Sequence, residues 1–210
     1  MNVLARLLID NETPIFGGPL HGTAFNLDGA CSLCGTGARQ VGPLILATSK
    51  FPRHEIFATL TGEVLVSSSF RDRLLEADLQ CLGPVVHAGT QEPLPVYQLV
   101  PQRELPPLAV ELSTIVRERP CPACGRDGFF DKPTGPMVLA YRSLEPAYLR
   151  SDLLATYERF GNSRLREPFV ESVLARPALV VGDRFQAVLA TKPIRGIDLE
   201  PIVTSGPGEA

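Results

Sequence analysis

Two stretches of the chain share one order of apolar and polar positions. Residues 63–86, EVLVSSSFRDRLLEADLQCLGPVV, begin with an apolar, β-branched run and continue with a serine cluster. Apolar residues then recur at helical spacing, and a second apolar run closes the stretch. Because serine hydroxyls can accept hydrogen bonds from the free amides of a helix start, the pattern predicts a strand, a capped helix and a second strand.

The same order returns near the end of the chain. Phe185 follows Phe70 at an offset of 115 residues, and Asp183 takes the helix-start position that serine holds in the first stretch. We therefore predict two related strand-helix-strand units, residues 63–87 and 178–203, with both phenylalanines in equivalent buried positions. Because periodicity over such short segments is a weak signal, two unrelated units of the same type remain an alternative.

Further apolar runs predict short strands elsewhere. The 20 prolines favour many short elements with irregular connections. The predicted fold is α+β, with mixed short strands and helices in a single domain over residues 1–203 and a flexible tail at 204–210. The additional strands are expected within residues 2–9, 43–49, 93–102 and 107–116.

Composition and charge narrow the class of protein. Of the 210 residues, 44% are hydrophobic and 20% are charged, as in ordinary globular proteins. No run approaches the roughly 18 apolar residues of a membrane span, so we expect a cytoplasmic protein with reduced thiols and no membrane partner. The net charge of −3, without a basic block, argues against broad binding to a nucleic-acid backbone.

Two copies of a Cys-x-x-Cys-Gly motif carry the candidate chemistry. They are CSLCG at residues 31–35 and CPACG at residues 121–125. Two such turns supply four thiolates, the tetrahedral ligand set that Zn²⁺ prefers. The sequence therefore predicts one zinc-ribbon-like site with four cysteine ligands. Its ligands are Cys31, Cys34, Cys121 and Cys124.

Other uses of the cysteines fit the sequence less well. A redox CxxC needs a helix that starts at the second cysteine, whereas glycines follow both pairs here. Two separate metal sites would need further ligands, and all three histidines (His21, His54, His87) lie far from either pair in sequence. Cys81, in the apolar setting LQCLGPVV, is interpreted as a buried hydrophobic residue.

A zinc ion with four thiolates has no open coordination position, so the expected role is structural. The metal would join two distant turns of the chain. Arg39 and Arg126 flank the two motifs and are placed to offset the negative charge of the centre. No sequence motif for catalysis accompanies the cysteines, and we expect a protein that is not an enzyme.

The two CxxCG motifs and the terminal unit LVVGDRFQAVL…GIDLEPI resemble the bacterial double-CXXCG motif family of toxin immunity proteins. The resemblance covers most of the chain, while its specific part is confined to the cysteine motifs and the terminal unit. The chain departs from the family's pattern in its proline-rich middle and in residues 148–168. The resemblance implies a binding protein that neutralises a cognate toxin protein.

A nucleic-acid-binding zinc ribbon is the alternative interpretation. Residues 115–132, IVRERPCPACGRDGFFDK, combine three arginines with Phe129 and Phe130, as such a surface requires. Three acidic residues in the same stretch dilute its positive charge. A protein partner is therefore preferred over a nucleic acid.

Overall fold

The computed structural model describes residues 4–131 and 138–204. The chain has an α+β fold, as predicted, and its two halves share one order of elements, to which the second half adds a helix and a strand. None of the described helices is both long enough and apolar enough to cross a membrane.

The first half begins with six short strands and ends with a strand, a helix and a strand. Its elements are β1 (Ala5–Ile9), β2 (Glu12–Thr13), β3 (Ala24–Asn26), β4 (Arg39–Val41), β5 (Leu44–Leu46), β6 (Ile56–Thr59), β7 (Val64–Ser67), α1 (Ser68–Glu76) and β8 (Leu82–His87).

The second half repeats this order, with a short extra helix, α2, and one further strand at its end, β17. Its elements are β9 (Pro93–Leu99), β10 (Arg103–Glu104), β11 (Ile115–Arg117), β12 (Phe129–Asp131), β13 (Ala140–Tyr141), α2 (Pro146–Leu149), β14 (Leu153–Ala155), β15 (Leu179–Val181), α3 (Asp183–Thr191), β16 (Ile197–Pro201) and β17 (Val203–Thr204).

Each half contributes its first strand to the sheet of the other half. The first sheet has the order β2-β6-β7-β9-β8-β5, and the second has the order β10-β14-β15-β1-β16. In both, the inserted strand lies antiparallel between the two strands of a strand-helix-strand unit. The two predicted units are therefore present, and each of them is completed by the opposite half.

The correspondence extends to the strands that follow the cysteine pairs. β5 runs parallel to β8, and β13 runs parallel to β17, which continues from β16. The amide of Ile45 donates to the Thr23 hydroxyl at 3.0 Å, and the amide of Ala140 donates to the Ser113 hydroxyl at 3.0 Å. The internal repeat thus extends beyond the two strand-helix-strand units to the strands and cysteine turns that precede them.

Three apolar clusters form the core. The central cluster combines α1 and α3 with residues of the two large sheets. It includes Phe70 and Phe185, which are fully buried. The two outer clusters occupy corresponding places in the halves. Leu46 and Phe57 belong to one, and Tyr141 belongs to the other.

The helix starts follow the predicted chemistry in the first unit and differ in the second. Ser67 is the N-cap of α1, and its hydroxyl accepts from the amide of Phe70 at 3.3 Å. Asp183 is the first residue of α3, but the N-cap itself is Gly182, which has no side chain to accept a hydrogen bond.

Most predicted strands are confirmed with shorter bounds, and one prediction is wrong over most of its length. Within 107–116 only the last two residues belong to a strand, β11, and a 3-10 turn occupies Val110–Leu112. Val110 and Leu112 are exposed, and residues 107–114 belong to none of the described strands, although the amide of Ala109 donates to the Ala140 carbonyl at 2.9 Å. Of the predicted tail, Thr204 lies in β17 and the rest lies outside the described residues.

The halves differ most in the connection before the second strand-helix-strand unit. Residues 60–63 join β6 to β7, whereas residues 156–178 join β14 to β15. This longer connection, called the insert below, reaches the first half. Phe169 packs edge-on against Phe25, and Leu165 and Leu174 lie against Gly35.

Candidate metal centre

Each cysteine pair lies in the loop of a two-stranded hairpin. β3 pairs with β4 around the first motif, and β11 pairs with β12 around the second. In both turns the amide of the motif glycine donates to the carbonyl of the first cysteine, at 2.8 Å for Gly35 and 2.9 Å for Gly125. Both glycines have a positive φ, +74° and +64°, which explains why glycine follows each CxxC.

The four sulfurs of the motif cysteines form one cluster. All lie within 4.8 Å of one another. Cys31 and Cys121 are 3.7 Å apart, and Cys34 and Cys124 are 3.6 Å apart. These separations exceed the ~2.05 Å of a disulfide. They match the edge of about 3.8 Å for a tetrahedron with metal–sulfur bonds of about 2.3 Å, so the cluster can hold a metal ion.

Equivalent cysteines of the two halves are in contact. The residues of both contacts are 90 positions apart in sequence. The two motifs therefore meet face to face, and each half supplies two of the four sulfurs. A bound ion would link the halves directly.

The first cysteine of each motif donates its backbone amide to a nearby acceptor. The amide of Cys31 donates to the Thr36 carbonyl at 2.9 Å, and the amide of Cys121 donates to the Asp127 carboxylate at 2.7 Å. Asp127 also accepts from the amide of Ser163 at 2.9 Å. This buried carboxylate thus ties the second turn to the insert.

Burial acts on the thiols unevenly. It raises the pKa of Cys34 to about 12, and it also raises the pKa of Cys124. For Cys31, burial is the largest single effect and raises the pKa, but hydrogen bonds from the amides of Leu33 and Cys34 and from the thiols of Cys34 and Cys121 together outweigh it and bring the pKa down to about 7. A divalent cation favours all four thiolates, so binding releases protons.

The Thr36 hydroxyl lies 3.1 Å from the Cys34 sulfur. Once Cys34 is a thiolate, the sulfur can only accept, and the hydroxyl becomes the donor. Thr36 is therefore a supporting residue of the centre. Thr36 directly follows the motif glycine. This position beside the cysteines is the feature by which the sequence could have identified it.

The remaining residues considered from sequence lie outside the cluster. Cys81 is buried in the central core, where burial, with a smaller effect from Asp152, raises its pKa to about 12. None of the three histidines joins the four cysteines among the described residues.

The two flanking arginines have different surroundings. The Arg126 guanidinium stacks 3.7 Å from the centroid of the Tyr157 ring and donates to Glu104 at 2.8 Å. Its backbone amide, rather than its side chain, contacts Cys124 and lowers the pKa of that thiol in part. Arg39 is exposed, and no ion pair of it is found among the described residues.

Sequence reasoning did not identify the contribution of the insert. Ser163 and Leu174 approach the two turns from a segment far along the chain. The sequence around these two residues contains no metal-site motif, because they act by packing and by a backbone hydrogen bond. Of the residues that support the second turn, Asp127 is close to the motif in sequence, six residues after Cys121.

A comparison of the chain with protein-family models finds no match, and a comparison with curated proteins also finds none.

Proposed function

We propose that this chain is a zinc-stabilised immunity protein, which binds a cognate bacterial toxin and neutralises it. The observation that carries the proposal is the all-cysteine centre at the junction of the two halves. Four thiolates fill the coordination sphere of a tetrahedral ion, so the metal would stabilise the scaffold without activating water. Function then depends on what the surface binds, not on catalysis at the metal.

Zinc is the ion that this ligand set favours. Tetrahedral four-sulfur sites hold zinc or iron, and a Zn²⁺ ion needs no redox partner. Elemental analysis of the purified chain is expected to give one zinc per molecule. A coloured protein with stoichiometric iron would contradict the zinc assignment while preserving the four ligands.

Exposed apolar side chains near the centre support a protein-binding surface. Leu33, within the first motif, is 58% exposed, and Val173, in the insert, is 59% exposed. Apolar side chains that remain accessible around a rigid site are suitable anchors for a partner. Their placement on a turn and on the insert, which packs against that turn, favours this face of the molecule.

Three of the five groups that could have formed a nucleic-acid surface are engaged within the chain, whereas Arg119 is exposed and Phe130 is half-buried. Arg117 lies over the Phe129 ring and donates to the carbonyl of Gly125 at 2.6 Å. Phe129 is buried, and Arg126 is paired with Glu104. Because bases need exposed aromatic faces for stacking, these contacts favour the protein partner over the zinc-ribbon alternative.

Co-expression tests the proposal. Cells that produce the toxin encoded beside the gene for this chain are expected to survive only when the chain is present, and the two proteins should co-purify. If no protection and no complex are found, and the purified chain shifts single-stranded or duplex nucleic acid at physiological salt, the nucleic-acid alternative replaces the immunity proposal.

A further inference from the structure

A groove of about 540 Å³ lies beside the first cysteine turn. Its walls are the turn and the start of β4 (residues 35–39), the segment that leads into β10 (residues 101–104) and the end of the insert (residues 174–177). The equivalent connection in the first half, residues 60–63, is too short to build a third wall. The groove therefore exists because the second half contains the insert and the first half does not.

Positive charge is concentrated in this groove, although the chain is acidic overall. Four guanidinium groups line it, those of Arg39, Arg103, Arg159 and Arg176, and the carboxylate among its described lining residues is that of Glu104. The net charge of the whole chain is −3. We call this feature the basic groove.

Two of the four arginines are fixed by contacts within the chain. Arg159 donates to Glu104, which also accepts from Arg126. Arg176 pairs with Glu63, whose carboxylate is buried. These two guanidiniums have their charge partners already, and they form a fixed part of the groove.

The other two arginines are exposed on different walls. Arg39 belongs to the wall of the cysteine turn, and Arg103 belongs to β10. Among the described residues, neither guanidinium takes part in an ion pair, while a carboxylate would bind such a group through two hydrogen bonds. An anionic ligand that lies across the groove could reach both.

The lining favours carboxylates of a polypeptide over a nucleic-acid strand. Phe25, the aromatic residue of the lining, is half-buried and packs against Phe169 with ring centroids 5.7 Å apart. It therefore presents little free surface for a base. Without a free aromatic face, a nucleic-acid strand would lose the stacking on which single-strand binding depends, whereas an acidic segment needs only the two arginines.

We propose that the basic groove binds an acidic segment of the partner protein, with Arg39 and Arg103 as the carboxylate-binding residues. The inference deepens the proposed function and rests on it for the identity of the partner. The chemistry of the groove can be tested without that partner, because a short acidic peptide presents the same groups.

The first probe is a labelled hexaglutamate peptide. Its binding is measured by fluorescence anisotropy at physiological salt. Hexaglutamine tests the need for charge, and hexathymidylate tests the nucleic-acid outcome. The wild-type chain is expected to bind hexaglutamate most tightly of the three. Failure to bind it, or tighter binding of hexathymidylate, would overturn the proposal.

Charge reversal locates the binding. The double variant Arg39→Glu/Arg103→Glu is expected to weaken hexaglutamate binding about tenfold or more. The matched control Arg53→Glu/Arg195→Glu changes two exposed arginines outside the groove, so it alters the net charge equally. Equal loss in both variants would show a non-specific charge effect and contradict the proposal. The milder Arg39→Gln/Arg103→Gln variant serves if the reversed one loses metal or thermal stability.

The co-expression assay separates this inference from the proposed function. If the groove variant protects cells as well as the wild type, the groove does not bind the toxin and the inference is wrong, while the immunity proposal stands. If the wild-type chain gives no protection, the immunity proposal is wrong, and the hexaglutamate titration alone decides whether the groove binds acidic segments.

Discussion

The rings of Phe70 and Phe185 pack against each other with their centroids 6.1 Å apart and their planes at 54°. The two residues occupy equivalent positions of α1 and α3. The cysteines also meet in equivalent pairs, Cys31 with Cys121 and Cys34 with Cys124. Mutual contact between equivalent residues is the property of a twofold interface, here within one chain.

Truncation of either phenylalanine is expected to destabilise the protein strongly. Phe70→Ala and Phe185→Ala should each lower the free energy of unfolding by about 3–5 kcal/mol, because each removes a fully buried ring from a packed core. In a double-mutant cycle the pair should couple by about 0.5–1.5 kcal/mol. Denaturant titration measures both quantities. Phe16→Ala, at a ring that is 47% exposed, is the control and should have little effect.

Loss of any one ligand is expected to remove stoichiometric metal. Serine at Cys31, Cys34, Cys121 or Cys124 leaves three thiolates, so metal content and melting temperature should both fall. Cys81→Ser should retain full metal content, since this thiol lies in the central core away from the cluster. Elemental analysis and thermal melts check these results. Loss of metal from the Cys81 variant would show that the ligand set is wrong.

The glycine after each cysteine pair is expected to resist substitution. Gly35→Ala places a methyl group in a backbone conformation of positive φ and 2.9 Å from a Leu174 methyl. The left-handed backbone alone costs roughly 1–2 kcal/mol. Gly42→Ala isolates that cost, because its φ is +77° and no described atom lies within 4 Å of the added methyl. Urea titration should show the larger loss for Gly35→Ala; equal losses would contradict the packing of the insert on the turn.

Replacement of a buried carboxyl group is expected to change the pH dependence of stability. One oxygen of Glu158 accepts from the amide of Leu108 at 2.9 Å, and the other has no hydrogen-bond partner among the described residues. Burial raises the pKa of this group. Its contribution to stability is therefore present at low pH and lost as the pH rises through the folded-state pKa.

Glu158→Gln removes this titration. Its stability relative to the wild type should increase from acidic to mildly alkaline pH, as measured by denaturant midpoints across the range. Glu76→Gln, at an exposed position, should show no such trend. A constant difference between Glu158→Gln and the wild type would mean that the carboxyl does not titrate with a raised pKa.

The two halves are expected to fold together when the peptide bond between Gly89 and Thr90 is absent. Both residues are exposed in the turn between β8 and β9. Because each half supplies a central strand of the other sheet and two of the four cysteines, the fragments should co-purify as a one-to-one complex. Size-exclusion chromatography of each fragment alone should show an unfolded or aggregated chain. A separately folded fragment would contradict the exchange of strands.

Local chemistry was readable in the sequence. The apolar spacing after Ser67 predicted α1, and the repeated motif glycines predicted the two cysteine turns. The correspondence of Phe70 with Phe185 also followed from the order of apolar residues. Each of these features depends on the conformation of a few consecutive residues, and the residue types that permit such a conformation are few.

The tertiary structure alone decided how the halves are assembled. The sequences of β1 and β9 predict ordinary strands. Nothing in either segment indicates that it pairs in the sheet of the other half. Strand pairing depends on backbone hydrogen bonds between distant segments, which any apolar strand can form. The basic groove likewise required the fold, since Arg39, Arg103 and Arg176 lie in separate segments. The sequence determined the local turns, helices and ligand types, whereas long-range pairing and the packing of the insert determined which of them meet.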